Sequence, residues 1–194
     1  MKHSSSRELF TYWNERRGPH LAPERGDIEP GVIRKALGDI FILGHDPQAG
    51  QVFRLGGTRV CALFGRELKG ERFAGLFAPA HQPAVRDLIG IITDEVVGVV
   101  AGATGETDDG EAIDLELLLL PLRHRGQTHM RMIGVLSPVV TPAWLGVGRL
   151  ARIRLGNLRH LGQAVETVVA PRLVAPPRRR DLRHNLVVYE GGRS

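Results

Sequence analysis

The stretch Ala112-Ile113-Asp114-Leu115-Glu116-Leu117-Leu118-Leu119-Leu120-Pro121-Leu122 limits what this chain can fold into more than any other part of it. A strand sends successive side chains to opposite faces. Ile113, Leu115, Leu117 and Leu119 therefore share one face, while Asp114 and Glu116 begin the other and Leu118 and Leu120 continue it. The segment Met130-Arg131-Met132-Ile133-Gly134-Val135-Leu136 behaves alike: Ile133 and Val135 face one way, and Met130, Met132 and Leu136 the other. An antiparallel sheet wetted on one side alternates cleanly between apolar and polar residues. This pattern instead demands a sheet covered on both faces.

The rest of the chain supplies the covers. Ser5 and Glu8 have the spacing of a capping box, and Leu9, Tyr12, Trp13 and Arg16 follow at helical spacing until Gly18-Pro19 ends the run. Residues 18–31 read as a loop, with a short helix after Pro30 carrying Val32, Ile33 and Leu37. Asp39–His45 and Val52–Leu55 form a hairpin about the turn at Asp46–Gly50. Thr58 is placed to cap a helix that carries Val60, Cys61, Leu63 and Phe64 and stops at Gly65. Phe73, Leu76 and Phe77 mark a further short element. From Pro79 to Glu95, Val85, Leu88, Ile89 and Ile92 form one helical stripe. Strands follow at Val96–Ala103, Ala112–Leu122 and Thr128–Leu136. The plan is α+β: a five-stranded antiparallel sheet, short helices on one face, and an N-terminal cap helix. The second face is left for that helix, the C-terminal segment or another subunit.

Several functions are disfavoured by what the residues lack. The longest apolar run, Leu117–Leu120, is far short of the roughly 18 residues of a membrane span. Residues 1–6 carry no apolar secretory core, so a cytoplasmic location is expected. A single cysteine, Cys61, makes neither an internal disulfide nor a cysteine zinc cage. His124 and His129 across a hairpin leave a zinc site incomplete, and Asp108–Glu111 lacks the alternating ligands of a calcium loop. No metal site is expected. Phosphate-binding loops, dinucleotide fingerprints, zinc-protease helices and nucleophile elbows are all missing, so no catalytic residues are assigned.

Two strands, a block of short helices, a longer helix and three strands resemble the PAS domain. Phe53-Arg54-Leu55-Gly56-Gly57-Thr58 and Leu63-Phe64-Gly65-Arg66-Glu67-Leu68-Lys69-Gly70 are similar to the stand-alone PAS proteins of alphaproteobacteria. The resemblance covers residues 28–140. It implies a cap helix and linker at 1–27, the PAS-like domain at 28–140, and a basic extension at 141–194. It also implies a sensory or protein-interaction module without catalysis of its own, acting as a homodimer and on a partner signalling protein. Such a domain encloses a space between sheet and short helices, which Cys61, Phe64, Leu88, Ile92 and Ile133 are placed to line. Side chains filling that space are the alternative to a small ligand, and no cofactor is assigned. Cys61 sits in Arg59-Val60-Cys61-Ala62-Leu63, unlike the flavin-photosensor motif Asn-Cys-Arg-Phe-Leu-Gln, and reads as a small buried hydrophobe. His81 follows Pro79 at a helix start, where a surface position is expected rather than a haem ligand. Leu9, Tyr12, Trp13, Leu118, Leu120 and Met132 are assigned to the outer sheet face, its cover and the dimer interface.

Charge separates the C-terminal quarter from the rest. Residues 149–194 hold 10 Arg and 3 acids, while residues 1–148 hold 16 Lys and Arg against 18 Asp and Glu. Arg152, Arg154, Arg178, Arg179 and Arg180 are the candidates for an electrostatic contact. Binding of nucleic acid by this basic tail is the alternative function. Leu150–Leu155 reads as a strand, with a weak helix after 157 and an extended tail beyond Pro171.

Overall fold

The computed structural model describes residues 1–124, 127–145 and 147–161, together with a two-residue strand at 168–169. Helix α1 (Ser4–Arg17) precedes strands β1 (Ile40–Asp46) and β2 (Gly50–Gly56). Helices α2 (Thr58–Phe64) and α3 (Gln82–Glu95) follow, with short 3-10 turns at Phe73–Leu76 and Pro79–His81 between them. Strands β3 (Gly98–Thr107), β4 (Ala112–His124) and β5 (Gln127–Pro138) complete the expected set. Two more strands extend it: β6 (Leu150–Leu161) and β7 (Val168–Val169). All pair antiparallel in the order β2-β1-β5-β4-β3-β6-β7. The expected α+β plan with a cap helix is thus present, and the sheet continues into the C-terminal segment.

Local chemistry explains where the element ends differ from expectation. His3 caps α1 in place of Ser5, its Nδ1 accepting from the Ser5 amide at 3.3 Å. Ser5 lies inside the helix because its hydroxyl donates to the Asp39 carboxylate at 2.6 Å, a stronger acceptor than a neutral group. Gly57, not Thr58, caps α2. A Cβ on Gly57 would overlap the carbonyl oxygens of Leu37 and Gly38, so the Gly-Gly-Thr turn needs glycine there. Gly65 ends α2 in the left-handed region at φ 62°, as a C-terminal glycine does. Helix α3 ends on Val96, left-handed at φ 53°, which delays β3 to Gly98. Residues 30–36 form successive turns rather than a helix. Beyond 157 the chain stays extended as β6, because β3 offers it a ladder running from Thr107 to Gly98.

Two apolar layers sandwich the sheet. On the inner face, Val60, Leu63 and Phe64 of α2, Phe73, Leu76 and Phe77, and Val85, Leu88 and Ile92 of α3 pack on Phe41, Phe53, Leu115, Leu117, Leu119 and Met132. On the outer face, Leu9, Tyr12 and Trp13 of α1, with Ala22, Ile28, Ile33 and Ala36 of the following segment, pack on Ile40, Ile42, Leu118, Leu120, Leu122, Ile133 and Val135. The second cover is therefore the chain's own N-terminal segment. Pro121 fits inside β4 because the β3 ladder stops at Leu119, so no amide is needed on that side.

Candidate functional site

The inner space is filled by rings. Phe41, Phe53, Phe73 and Phe77 form a chain of contacts with centroids 5.4–5.8 Å apart. Phe64, Leu88 and Ile92 are buried in the same layer, and Cys61 is half-buried at its margin. Ile133, expected to line this space, faces the opposite way. Met132, expected on the outer face, points into the inner layer. The β4–β5 register is the cause: Leu120 stands opposite Ile133 and Leu118 opposite Val135, and partners across a ladder share a face. Burial pushes the Cys61 thiol up, and the nearby Glu67 carboxylate adds to that, against a backbone bond from Leu68. His81 is buried rather than at the surface, with an Nδ1 that has no hydrogen-bond partner among the described residues. No group of three or more His, Cys, Asp or Glu suited to a metal ion occurs among the described residues.

The cap is fastened to the sheet by polar groups that the sequence reading overlooked. Asp39 is buried between α1 and α2. It accepts from Ser5 Oγ, and from Arg59 Nε and Nη2 at 2.7 Å each. Arg59 also donates to the Lys35 carbonyl at 3.1 Å. Burial pushes the Asp39 carboxyl up, but the hydrogen bonds from Arg59 and Ser5 outweigh it and hold the group below its ordinary value. Glu116 on β4 is likewise buried and accepts from the Lys2 and His3 amides at 2.5 and 3.0 Å. Burial raises its carboxyl, and the amide bonds bring it below the ordinary value. Two carboxylates thus meet the amide end of α1, where the helix dipole favours negative charge. Farther along, Trp13 Nε1 donates to the Pro121 carbonyl at 2.8 Å, and the Tyr12 hydroxyl donates to the Asp27 carbonyl and accepts from the Glu29 amide. A regular acid-to-partner spacing could not have revealed Asp39 or Glu116, since their partners lie 34 and 113 residues away.

Five of the six residues assigned to the outer face and its cover lie there: Leu9, Tyr12, Trp13, Leu118 and Leu120. They bury one another within one chain, which leaves their side chains unavailable to a partner unless α1 moves. Beyond α1, the outer face over β3 and β6 is less covered. One groove of about 530 Å³ runs over Val100, Gly102, Thr104, Glu116 and Gly156. A second, also about 530 Å³, lies between Phe10, Trp13, Leu21, Val97 and Leu161. Met1 and Arg159 border both, so the two are contiguous. Arg152 and Arg154 lie on β6 and both close on Glu106, at 2.7 and 2.9 Å, which holds that carboxyl below its ordinary value. Arg178, Arg179 and Arg180 lie outside the described residues.

A sheet with small helices on one face and a cap helix on the other is the architecture of a sensory PAS module. A model of the PAS domain family matches residues 1–137, and the chain belongs to that family. Among curated proteins no sequence matches it. Among solved structures, the LOV domain of the blue-light photoreceptor Aureochrome1 in its light state is 17% identical, with a TM-score of 0.44, over 59% of this chain and 90% of that one. The LOV protein of Rhodobacter sphaeroides is 14% identical, TM-score 0.44, over 60% and 71% of the two chains. A PAS domain from Colwellia psychrerythraea is 15% identical, TM-score 0.40, over 54% and 92%. PAS domains are sensory regulatory modules, and that is the class of function the family assigns. No helix among the described residues is long and apolar enough to cross a membrane.

Proposed function

We propose that the chain is a regulatory PAS module without catalysis of its own, which pairs with a second copy and passes its output to a partner protein. The observation that carries this reading is the strip of outer sheet face beside α1, where Val100, Gly102 and Thr104 floor a groove continuous with the apolar one at Phe10, Leu21 and Leu161. Leu21 is 67% exposed there. Exposed apolar surface rimmed by polar residues marks interaction sites. The phenylalanine packing of the inner layer favours protein contact over a bulky ligand as the working surface. The basic-tail alternative is weakened by Glu106, which pairs with both Arg152 and Arg154 within the chain and offsets part of their charge.

Sedimentation of the purified protein tests the pairing. Gly102→Arg places a long charged side chain on the strip, and a Cβ at Gly102 has room, its nearest neighbour being the Asn157 oxygen at 3.9 Å. The expected result is a wild-type dimer that Gly102→Arg or Leu21→Glu converts to a folded monomer. A wild type that stays monomeric at high concentration refutes the pairing. Co-purification of the partner from cells should use a truncation after 169, because one after 148 would remove β6 from the sheet.

A further inference from the structure

At the far end of the outer face, away from the amide end of α1, two arginines meet over a glycine. Gly44 of β1 stands between Arg131 of β5 in the ladder and Val52 of β2. Having no side chain, it leaves a bare floor over which Arg54 and Arg131 lie. A Cβ on Gly44 would sit 2.6 Å from Arg54 Nε and would overlap Arg131 Nη1. The two guanidinium groups therefore converge on one point. Arg54 is held by a bond from its Nη2 to the His45 carbonyl at 3.2 Å. Arg25, on the 3-10 turn Arg25–Asp27, adds a third positive charge close enough to act on Arg131.

No described carboxylate forms an ion pair with this cluster. Arg16, Arg59, Arg66 and Arg123 each have a carboxylate partner, whereas Arg25, Arg54 and Arg131 have none among the described residues. The neighbouring stretch 125–130 contains no Asp or Glu. Asp46 feels Arg54, but its Oδ1 is taken by the Gln48 and Ala49 amides at 3.0 and 2.9 Å. Half-burial and the like charges of Arg54 and Arg25 press the Arg131 guanidinium below its ordinary range. Charges of one sign held together on a glycine floor cost free energy unless an anion sits among them. Guanidinium forks match the oxygens of a phosphoryl group in geometry as well as charge.

We propose that Arg54 and Arg131, over the Gly44 floor, bind the phosphoryl group of a small phosphorylated ligand. The site lies on the sheet face opposite the ring-filled inner layer, and it is independent of the pairing proposed above. Its sources are free phosphate or a nucleotide, and the probes separate them.

The test uses the full chain at low ionic strength, with thermal melting and titration calorimetry against inorganic phosphate, AMP and adenosine. Sodium chloride matched in ionic strength is the control. Phosphate and AMP are expected to raise the melting temperature above the chloride control, and adenosine is not. Arg131→Gln and Arg54→Gln are each expected to weaken phosphate binding about tenfold or more, the loss of a charge-assisted hydrogen bond. Arg152→Gln changes the net charge equally and is expected to leave binding intact. Without anion, Arg131→Gln should melt no lower than wild type, since it removes a like-charged neighbour. AMP tighter than phosphate, with the same arginine dependence, assigns the nucleotide as source; equal affinities assign free phosphate. A response no larger than that to chloride, one equal in the wild type and both glutamine variants, or one to adenosine alone overturns the proposal.

Discussion

Replacing Trp13 by alanine should loosen the cap from the sheet, and the size of the effect can be worked from its contacts. The indole is 4% exposed. It packs in the outer layer over Leu118 and Leu120, stacks on Phe10 with centroids 6.3 Å apart, and donates to the Pro121 carbonyl. Truncating a buried aromatic costs about 3–5 kcal/mol through lost burial and the remaining cavity. The abandoned Pro121 carbonyl adds about 1 kcal/mol. Trp13→Phe keeps most of the apolar surface and loses chiefly the bond, so it should cost roughly 1–2 kcal/mol. Urea titration followed by far-ultraviolet circular dichroism and by fluorescence gives both values. Trp144, the other tryptophan, packs against the inner layer and reports the body of the domain after Trp13 is gone. A cap released ahead of the body would show as helix signal lost at lower urea than the Trp144 transition. If Trp13→Ala shifted the unfolding free energy by less than about 0.5 kcal/mol, the magnitude of a neutral surface change, the account of α1 as the sheet's second cover would fail.

Three further outcomes follow from the same contacts. Asp39→Asn removes the charge that Arg59 and Ser5 share and should destabilise by about 1–3 kcal/mol in urea unfolding, nearer the low end because Arg59 is half exposed; no change would remove Asp39 from the cap's fastening. Asp39 and Glu116 both titrate below their ordinary values when folded, so their contribution is full above about pH 5 and is lost as pH falls through roughly 4 toward the lower folded values. Proteolysis within residues 1–36 should accelerate before the body unfolds, and protection that stays constant from pH 6 to pH 3 would contradict this. Gly57→Ala should cost about 3 kcal/mol, since the obstructing atoms are backbone carbonyls, while Gly31→Ala, with open space around it, should stay within about 0.5 kcal/mol; equal melting curves would refute the close approach at Gly57.

The two layers of the sheet are held by different kinds of contact. The inner layer is continuous ring and aliphatic packing. The outer layer adds buried polar anchors at Asp39, Glu116 and Pro121. Arg59 belongs to α2 on the inner side and reaches Asp39, to which Ser5 of α1 also binds. A shift of α2 therefore bears directly on the cap through Arg59, Asp39 and Ser5.

Alternation along β4 and β5 was enough to require covers on both sides of the sheet, because strand geometry assigns each side chain a face whatever it later meets. The helical stripe at Val85, Leu88 and Ile92 and the stop at Gly65 were legible for the same reason, being properties of near neighbours in the chain. The faces of Met132 and Ile133 were separable within β5, yet which of them joined Leu118 depended on register, and register is set by how two distant strands meet. The extension of β6 past residue 157 had a mixed local pattern that only the β3 ladder resolved. Asp39, Glu116 and the arginines over Gly44 gain their meaning from residues brought together across tens of positions. No spacing rule reports such meetings, since hydrogen bonds and charge act through space, and only the folded chain says which groups are near.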